Sequence, residues 1–160
     1  MGSTSDLPVM EKACKWLDDN EIPFEVNALS AHRTPDAVEA FAKGAQERGI
    51  KVIIAAAGMA AALPGVIAAS TNLPVIGVPI KGMLDGLDAM LSIIQMPPGI
   101  PTATVGVNAA QNAAILAAQI IGLIDSAVAA KVAAHKAGLG AKIEKANKDV
   151  AEVKYNFKTN

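Results

Sequence analysis

Short apolar runs of strand length constrain the fold of this chain more than any other feature. Three are rich in small and β-branched residues and show no alternation with polar ones: Lys51–Ala57, Pro74–Ile80 and Thr102–Val107. A fourth run, Phe24–Leu29, is more mixed and suits a strand nearer the edge of a sheet. Runs without alternation are typical of parallel strands that are covered on both faces. The chain is therefore predicted to build a parallel sheet.

Helical patterns separate these runs. Apolar residues recur at helical spacing in two groups: Met10, Ala13, Cys14 and Leu17, and Val38, Phe41, Ala42 and Ala45. Thr34 as N-cap and Pro35 at the first helical position mark the start of the second helix. Asn108 is a candidate cap for the Ala-rich helix that follows the last run. Strands that alternate with helices predict an α/β fold of βαβ units with right-handed crossovers.

The 160 residues predict one domain, residues 1–160, with an α/β core over 1–125 and a C-terminal helix and tail over 126–160. That helix is interrupted at Gly138-Leu139-Gly140, and its weak apolar stripe predicts packing on a neighbouring subunit. At the other end, residues 1–6 (MGSTSD) have the character of a strand-to-helix loop. A doubly wound sheet places a central strand before such a loop, so we expect the first strand to be missing from this sequence and encoded upstream.

Composition and charge exclude several classes of protein. The chain is 52% hydrophobic but 3% aromatic, so small side chains build its core and leave apolar surface that favours a homo-oligomer. A net charge of −1 without a basic patch argues against a nucleic-acid partner. Cys14 is the only cysteine, which indicates a reducing compartment. No apolar run reaches the roughly 20 residues that span a bilayer, so we expect a cytoplasmic protein without a membrane partner.

The first loop with candidate functional residues is Gly2-Ser3-Thr4-Ser5-Asp6. Ligands of open α/β sheets bind beyond the carboxyl ends of the strands, where such loops lie. A glycine and three hydroxyl residues at a helix N-terminus favour an anion, because free N–H groups and the helix dipole point at it. Asp6 has the wrong charge for phosphate but accepts hydrogen bonds from ribose hydroxyls. An ordinary Ser/Asp helix cap explains the loop equally well.

The second loop is Ser30-Ala31-His32-Arg33-Thr34-Pro35, again before a helix. Arg33 can hold a phosphate with two hydrogen bonds. His32 is the side chain best suited to exchange protons near neutral pH. A lone loop histidine is more often a surface residue than a catalyst. The neighbouring arginine favours the catalytic interpretation, and the only other histidine, His135, lies in the C-terminal helix.

The third loop, Gly58–Gly65 (GMAAALPG), offers almost no functional side chain. Its small residues could present backbone N–H groups to a planar or anionic ligand, although a tight βα turn explains it equally well. The sequence lacks a His/Cys/carboxylate cluster at metal-ligand spacing, a Walker-type loop, a complete GxGxxG and a GxSxG elbow. The chemistry that these absences leave open is proton transfer by one histidine beside an arginine that can bind an anion. We expect no metal or cofactor.

Six segments in this order resemble the PurE family, which contains N5-carboxyaminoimidazole ribonucleotide mutases and aminoimidazole ribonucleotide carboxylases. The segments are MGSTSD (1–6), SAHRTP (30–35), GMAAALPG (58–65), PVIGVPI (74–80), SIIQMPPGIP (92–101) and NAAQNAAILAAQI (108–120). Membership implies a flavodoxin-like three-layer αβα sandwich. It also implies a first strand just before MGS and an octamer with active sites between subunits.

The resemblance also implies roles for residues. His32 resembles the catalytic acid and base. The implied substrate-binding residues are Ser3, Ser5, Asp6, Ser30, Arg33, Ala57, Gly58, Met59, Ala60, Ala61 and Leu63. Among them the serines and Arg33 resemble the phosphate and ribose contacts and Asp6 the ribose ligand, while the backbone of 57–63 would hold the imidazole and the migrating carboxylate.

The implied reaction belongs to purine biosynthesis: the carboxyl group of N5-carboxyaminoimidazole ribonucleotide migrates to the ring carbon through release and recapture of CO2. One departure from the family leaves an alternative open. Many bacterial mutases carry histidine where this chain has Ala62, and the carboxylases lack it too. Those carboxylases usually carry lysine in place of Arg33, which favours the mutase. Direct carboxylation of aminoimidazole ribonucleotide is the second hypothesis, and a non-catalytic nucleotide-binding module is the third.

Overall fold

The sheet of the computed structural model, which describes residues 1–159, consists of three parallel strands in the order β1-β2-β3. The strands are β1 (Ile53–Ala57), β2 (Val75–Pro79) and β3 (Ala103–Thr104). In β1 and β2 nine of ten residues are buried, which explains why these runs show no polar alternation. Ile53 pairs with Val75 and Ala57 with Pro79. The two predicted strands 51–57 and 74–80 are therefore confirmed, each slightly shorter than its apolar run.

Six α-helices surround or extend the sheet. They are α1 (Leu7–Asp19), α2 (Pro35–Gly44), α3 (Leu63–Ala69), α4 (Leu87–Ile94), α5 (Ala110–Gly122) and α6 (Ser126–Glu152). Both predicted helical patterns are confirmed in α1 and α2, and Thr34 precedes α2 with Pro35 at its start. Within the described residues no helix is long and apolar enough to cross a membrane.

Two apolar clusters lie on opposite faces of the sheet. One joins α1 and α5 to Ala56, Ile76 and Val78, and the other joins α2, α3 and α4 to Ile53 and Ala55. Alternate residues of β1 thus enter different clusters, as the strand period of two requires. The result is the three-layer, flavodoxin-like α/β arrangement that the sequence predicts.

Two predicted strands differ in the structure. Residues 24–29 are not a strand: they have no pairing in the sheet, and their backbone hydrogen bonds to another segment are with Met1. The run 102–107 is a strand only over Ala103–Thr104, although Val105 continues the ladder by donating to the Gly77 carbonyl across 3.2 Å. The prediction of a strand at 24–29 was wrong for this chain because a strand needs a partner to exchange hydrogen bonds with.

A groove separates residues 23–29 from the free edge of β1. Its volume is about 360 Å³, and its lining is mainly apolar, with Met10, Phe24, Val26 and Ile54 among the contributing side chains. At one end Met1 lies between the two segments: its ammonium donates to the Asn27 carbonyl at 3.0 Å, and the Leu29 N–H donates to the Met1 carbonyl at 2.9 Å. This pair of bonds has the pattern of a parallel bridge.

Two further details differ from the sequence expectations. The cap before α5 is Ala109, and Asn108 adopts a positive φ of 57° and accepts from the Lys81 N–H through its side chain. The Asn108 side chain thus connects the loop after β3 to the loop after β2 and does not cap α5. The predicted interruption at Gly138–Gly140 is also absent, since α6 runs unbroken from Ser126 to Glu152.

The division of the chain at residues 125/126 stays a prediction. Asp125 caps α6 by accepting from Ala127 and Val128, so the chain turns into the last helix at the predicted place. Asn160, included in the predicted tail, lies outside the described residues.

Candidate active site

The loop that carries His32 is a tight turn closed by Ser30 and Thr34. The Ser30 N–H donates to Thr34 Oγ1 at 3.0 Å, and that hydroxyl donates back to the Ser30 carbonyl at 3.1 Å. The Thr34 hydroxyl is thereby used within the turn, so it does not cap α2 through its side chain. The turn places His32 at its exposed tip. No hydrogen bond of residues 1–159 engages its imidazole, which leaves both ring nitrogens accessible to a ligand.

Arg33 connects the second loop to the first. Its Nη2 donates to the Gly2 carbonyl at 3.1 Å, and its Nε donates to Ser30 Oγ at 3.3 Å. The Ser30 hydroxyl also accepts from the Arg33 backbone N–H at 3.2 Å. These bonds join two loops that are 31 residues apart in sequence. Arg33, which the sequence predicts to bind an anion, and the MGSTSD loop therefore lie side by side.

The first loop forms a short 3-10 turn, Thr4–Asp6, that leads into α1. Ser3 caps it by accepting from the Ser5 N–H at 3.3 Å, and the Ser5 hydroxyl donates to Asp6 Oδ1 at 3.3 Å. Asp6 is 9% exposed and is the buried charged residue of the described chain. A Cβ placed on Gly2 would lie 3.9 Å from Asp6 Oδ2, so the second carboxylate oxygen faces Gly2. Asp6 and Arg33 thus both lie against Gly2.

The third loop holds strained backbone. Met59 and Ala61 have positive φ angles of 52° and 38°, a conformation that side chains with a Cβ adopt at a cost. The Ala61 N–H closes a turn onto the Gly58 carbonyl at 3.0 Å. Ala61 is buried, whereas Met59 is 65% exposed. The turn leaves the N–H groups of Met59 and Ala60 without a partner among the described residues, available to an anionic or planar ligand.

The second and third loops share an apolar cluster. Leu29 and Ala31 pack against the group of buried residues that contains Ala57, Ala61 and Leu63. Together with the Arg33–Gly2 bond, this contact brings all three predicted loops to the carboxyl edge of the sheet. Within residues 1–159, no three His, Cys, Asp or Glu side chains are grouped to hold a metal ion.

Two further polar residues lie at this edge, and neither was predicted as a site residue. Lys81 follows β2 and Asn108 follows β3, and the Lys81 N–H donates to Asn108 Oδ1 at 2.9 Å. The Lys81 ammonium forms an exposed ion pair with Asp85 at 3.0 Å. The signal was present, because both residues come directly after predicted strands. They add a cation and an amide to the side chains predicted for this edge.

The fold and these loops define a class: a flavodoxin-like α/β protein with a ligand site built on the βα loops at the carboxyl edge of its sheet. The family follows from comparison of the whole chain. Residues 1–142 match the family model described as AIR carboxylase, and the chain belongs to this family.

Individual relatives agree with this assignment. The chain is 60% identical to the N5-carboxyaminoimidazole ribonucleotide mutase of Pyrococcus abyssi over 124 residues, covering 77% of this chain and 71% of the relative. It is 57% identical to the phosphoribosylaminoimidazole carboxylase of Saccharomyces cerevisiae, covering 82% of this chain and 23% of that longer protein. The crystal structure of Treponema denticola PurE superimposes with a TM-score of 0.78 at 30% identity, covering 97% of this chain and 96% of that one.

Proposed function

We propose that this chain is an N5-carboxyaminoimidazole ribonucleotide mutase, an isomerase of purine biosynthesis. The observation that carries the proposal is the hydrogen bond from Arg33 to the Gly2 carbonyl, since it sets the histidine loop against the serine loop. A proton carrier, a phosphate grip and a buried carboxylate then share one edge of the sheet. The similarity to named mutases over most of the chain supports the same conclusion.

The geometry of the loops supports the binding roles that the family resemblance implies. Arg33, already held by Ser30, is positioned to donate its remaining guanidinium N–H groups to the phosphate. Ser3 and Ser5 add hydroxyl and backbone N–H groups at the start of α1, where the helix dipole favours an anion. Asp6 accepts from the ribose hydroxyls, which suits a carboxylate whose second oxygen is free of the Ser5 bond. The phosphate of the substrate thus faces hydrogen-bond donors, and its ribose faces a hydrogen-bond acceptor.

The proposed chemistry needs a single titratable group. His32, in its protonated form, gives its proton to the carbamate nitrogen of the substrate; the N–CO2 bond breaks and releases CO2, leaving neutral aminoimidazole ribonucleotide. The electron-rich ring carbon then attacks CO2 and forms the new C–C bond. His32, now neutral, removes the proton from that carbon and returns to its starting state. Atoms and protons balance over the cycle without a cofactor.

The third loop has a proposed role in retaining CO2. Ala57, Gly58, Ala60, Ala61 and Leu63 offer small or apolar side chains, and Ala57, Ala61 and Leu63 are buried. Such a wall keeps water away from the released CO2 while backbone N–H groups hold the carboxylate. Met59, which is 65% exposed, is placed to cover the ligand from outside.

The second candidate function is the direct carboxylase. Ala62 stands where many mutases carry histidine, and relatives named carboxylase are also similar to this chain. The retention of Arg33 favours the mutase, as does the similarity to mutases of which this chain covers 71–87% of the length. We also propose a cytoplasmic homo-oligomer, an octamer by resemblance, with a small-molecule nucleotide as substrate and neither nucleic acid nor membrane as partner.

One pair of assays tests the proposal. Purified protein is given synthetic N5-carboxyaminoimidazole ribonucleotide, and separately aminoimidazole ribonucleotide with bicarbonate, and formation of 4-carboxyaminoimidazole ribonucleotide is followed. Rapid conversion of the first substrate alone supports the mutase. Conversion of the second at a comparable kcat/KM would assign the carboxylase. Binding without conversion of either would leave a nucleotide-binding module.

A further inference from the structure

The loops at the carboxyl edge of the sheet contain two lysine or arginine residues, Arg33 and Lys81. These loops are residues 1–6, 30–35, 58–62, 80–86 and 105–109. In the proposed function, on which this inference rests, Arg33 binds the phosphate of the substrate. The substrate carries a second anionic group, the carboxylate that migrates, and a carboxylate forms its strongest hydrogen bonds with a charged donor. Lys81 is the basic residue of these loops that remains for it.

Lys81 lies one residue beyond the contact between β2 and the third loop. The Ile80 N–H donates to the Ala57 carbonyl at 2.9 Å, and a Cβ on Gly58 would lie 3.6 Å from the Cβ of Ile80. Neighbouring strands are about 4.8 Å apart and successive residues about 3.3 Å, so the Cα atoms of Lys81 and Gly58 are roughly 6 Å apart. The flexible four-carbon side chain of a lysine spans such a distance. The ammonium is therefore within reach of the third loop.

The backbone of Lys81 is fixed, whereas its side chain extends into solvent. Its N–H donates to Asn108 Oδ1 at 2.9 Å, and a Cβ on Gly86 would lie 3.3 Å from the Cα of Lys81, so the loop is closely packed at this point. The side chain is 60% exposed. The ammonium can therefore change its partner without any movement of the loop.

Asp85 holds the ammonium in the structure, but only weakly. The two groups are 3.0 Å apart, and the Asp85 side chain is 87% exposed. Exposed ion pairs contribute little to stability, because water screens both charges. A substrate carboxylate would also accept from the backbone N–H groups of Met59 and Ala60, which have no partner among the described residues. Such a ligand competes well with Asp85 for the ammonium.

We propose that Lys81 binds the migrating carboxylate and makes the site prefer a carboxylated nucleotide over aminoimidazole ribonucleotide. The two anionic groups of the substrate are then bound by different cations, the phosphate by Arg33 and the carboxylate by Lys81. The CO2 that forms during the reaction is uncharged, so the ammonium binds the substrate and the product more strongly than the intermediate state. An interaction of this kind lowers KM and does not raise kcat.

The first experiment compares two ligands that differ only by the carboxylate. Calorimetry measures the Kd of 4-carboxyaminoimidazole ribonucleotide and of aminoimidazole ribonucleotide for the wild-type chain and for Lys81→Met. We expect the first Kd to rise by about tenfold or more and the second to stay within about twofold, as the loss of one charged hydrogen bond predicts. Lys51→Met, which removes an exposed lysine at the other end of β1, is the control and should change neither.

The same measurement separates the ways in which the proposal could fail. An equal rise for both nucleotides would show that Lys81 only supports the loop, and no rise would show that it does not bind the carboxylate; either result would overturn the proposal. A wild-type chain that binds neither nucleotide would refute the proposed function, and this inference with it. Preference of the wild-type chain for the carboxylated nucleotide, lost in Lys81→Met, would support the inference even if no turnover were found.

The second experiment tests the charge and its present partner. Asp85→Asn frees the ammonium, and asparagine tolerates the positive φ of 55° at this position, so Kd for the carboxylated nucleotide should fall by about twofold or more. Lys81→Arg keeps the charge and should bind this nucleotide better than Lys81→Met does. In steady-state kinetics Lys81→Met is expected to raise KM with little change in kcat. A fall in kcat at unchanged KM would place Lys81 in the chemical step and contradict the proposal.

Discussion

Trp16 donates its indole N–H to Nδ1 of His135 across 3.2 Å, and the two rings meet edge to face with their centroids 5.4 Å apart. The imidazole accepts this hydrogen bond through Nδ1. His135 is half-buried, and every residue of α6 after it is exposed. This contact is where α6 leaves the body of the protein.

Replacing His135 with Phe keeps an aromatic ring against Trp16 but removes the acceptor. Trp16 is 5% exposed, so its indole N–H is then buried without a partner. We expect a loss of about 1–3 kcal/mol in the free energy of unfolding. Urea titration followed by circular dichroism measures it, because this readout also serves a variant that lacks the single tryptophan. Trp16→Phe together with His135→Phe removes donor and acceptor, and equal losses in the single and double variants would show that the hydrogen bond is unimportant.

His32→Asn is expected to lower kcat by a thousandfold or more, because no second histidine lies in the candidate site to carry the proton. His135→Gln is the matched control, since it removes the only other histidine, and its kcat should stay within about twofold. Both variants are checked by circular dichroism. Retained turnover in the His32 variant would refute the assignment of this residue.

Arg33→Lys keeps the positive charge but cannot reproduce the two bonds to Ser30 and Gly2. We expect KM to rise by tenfold or more, with a smaller change in kcat, because phosphate binding and the junction between the two loops both weaken. Steady-state kinetics separates the two constants. Lys43→Arg, on the exposed surface of α2, serves as control and should change neither.

Gly77→Ala is expected to destabilise the fold by about 1–3 kcal/mol. A Cβ on Gly77 would lie 2.3 Å from Cγ2 of Ile93, which is fully buried and has no room to move. Gly82→Ala is the control, since a Cβ there meets nothing within 4 Å. Thermal unfolding of the two variants should differ by several degrees, and similar values would show that α4 shifts freely against β2.

The sequence predicted the layers of the fold well because burial on both faces leaves a clear apolar signature, as in Ile53–Ala57. It failed at residues 24–29, because strand character depends on a neighbour that composition does not reveal. The sequence also predicted a helix interruption at Gly138–Gly140 that the structure does not have. The low helix propensity of glycine is a weaker guide than the helical pattern of the surrounding residues.

The loops that carry the candidate site were found from residue types and their places after strands. What the sequence could not supply was their contacts. The bond from Arg33 to Gly2 joins segments far apart in the chain. The positive φ of Met59 could not be predicted either, because methionine rarely adopts this backbone conformation. Lys81 and Asn108 were not predicted as site residues, because the hydrogen bond between their loops forms only when β2 and β3 lie side by side.

The groove beside β1 has a consequence for what can pair with this sheet. Because β1 is an edge strand of this sheet, its outer N–H and C=O groups face an apolar channel, and such an edge is a template for pairing with an extended segment. A segment that pairs there makes the hydrogen bonds that β1 lacks on this side and covers the apolar lining at the same time. Apolar side chains in that segment are therefore favoured over charged ones.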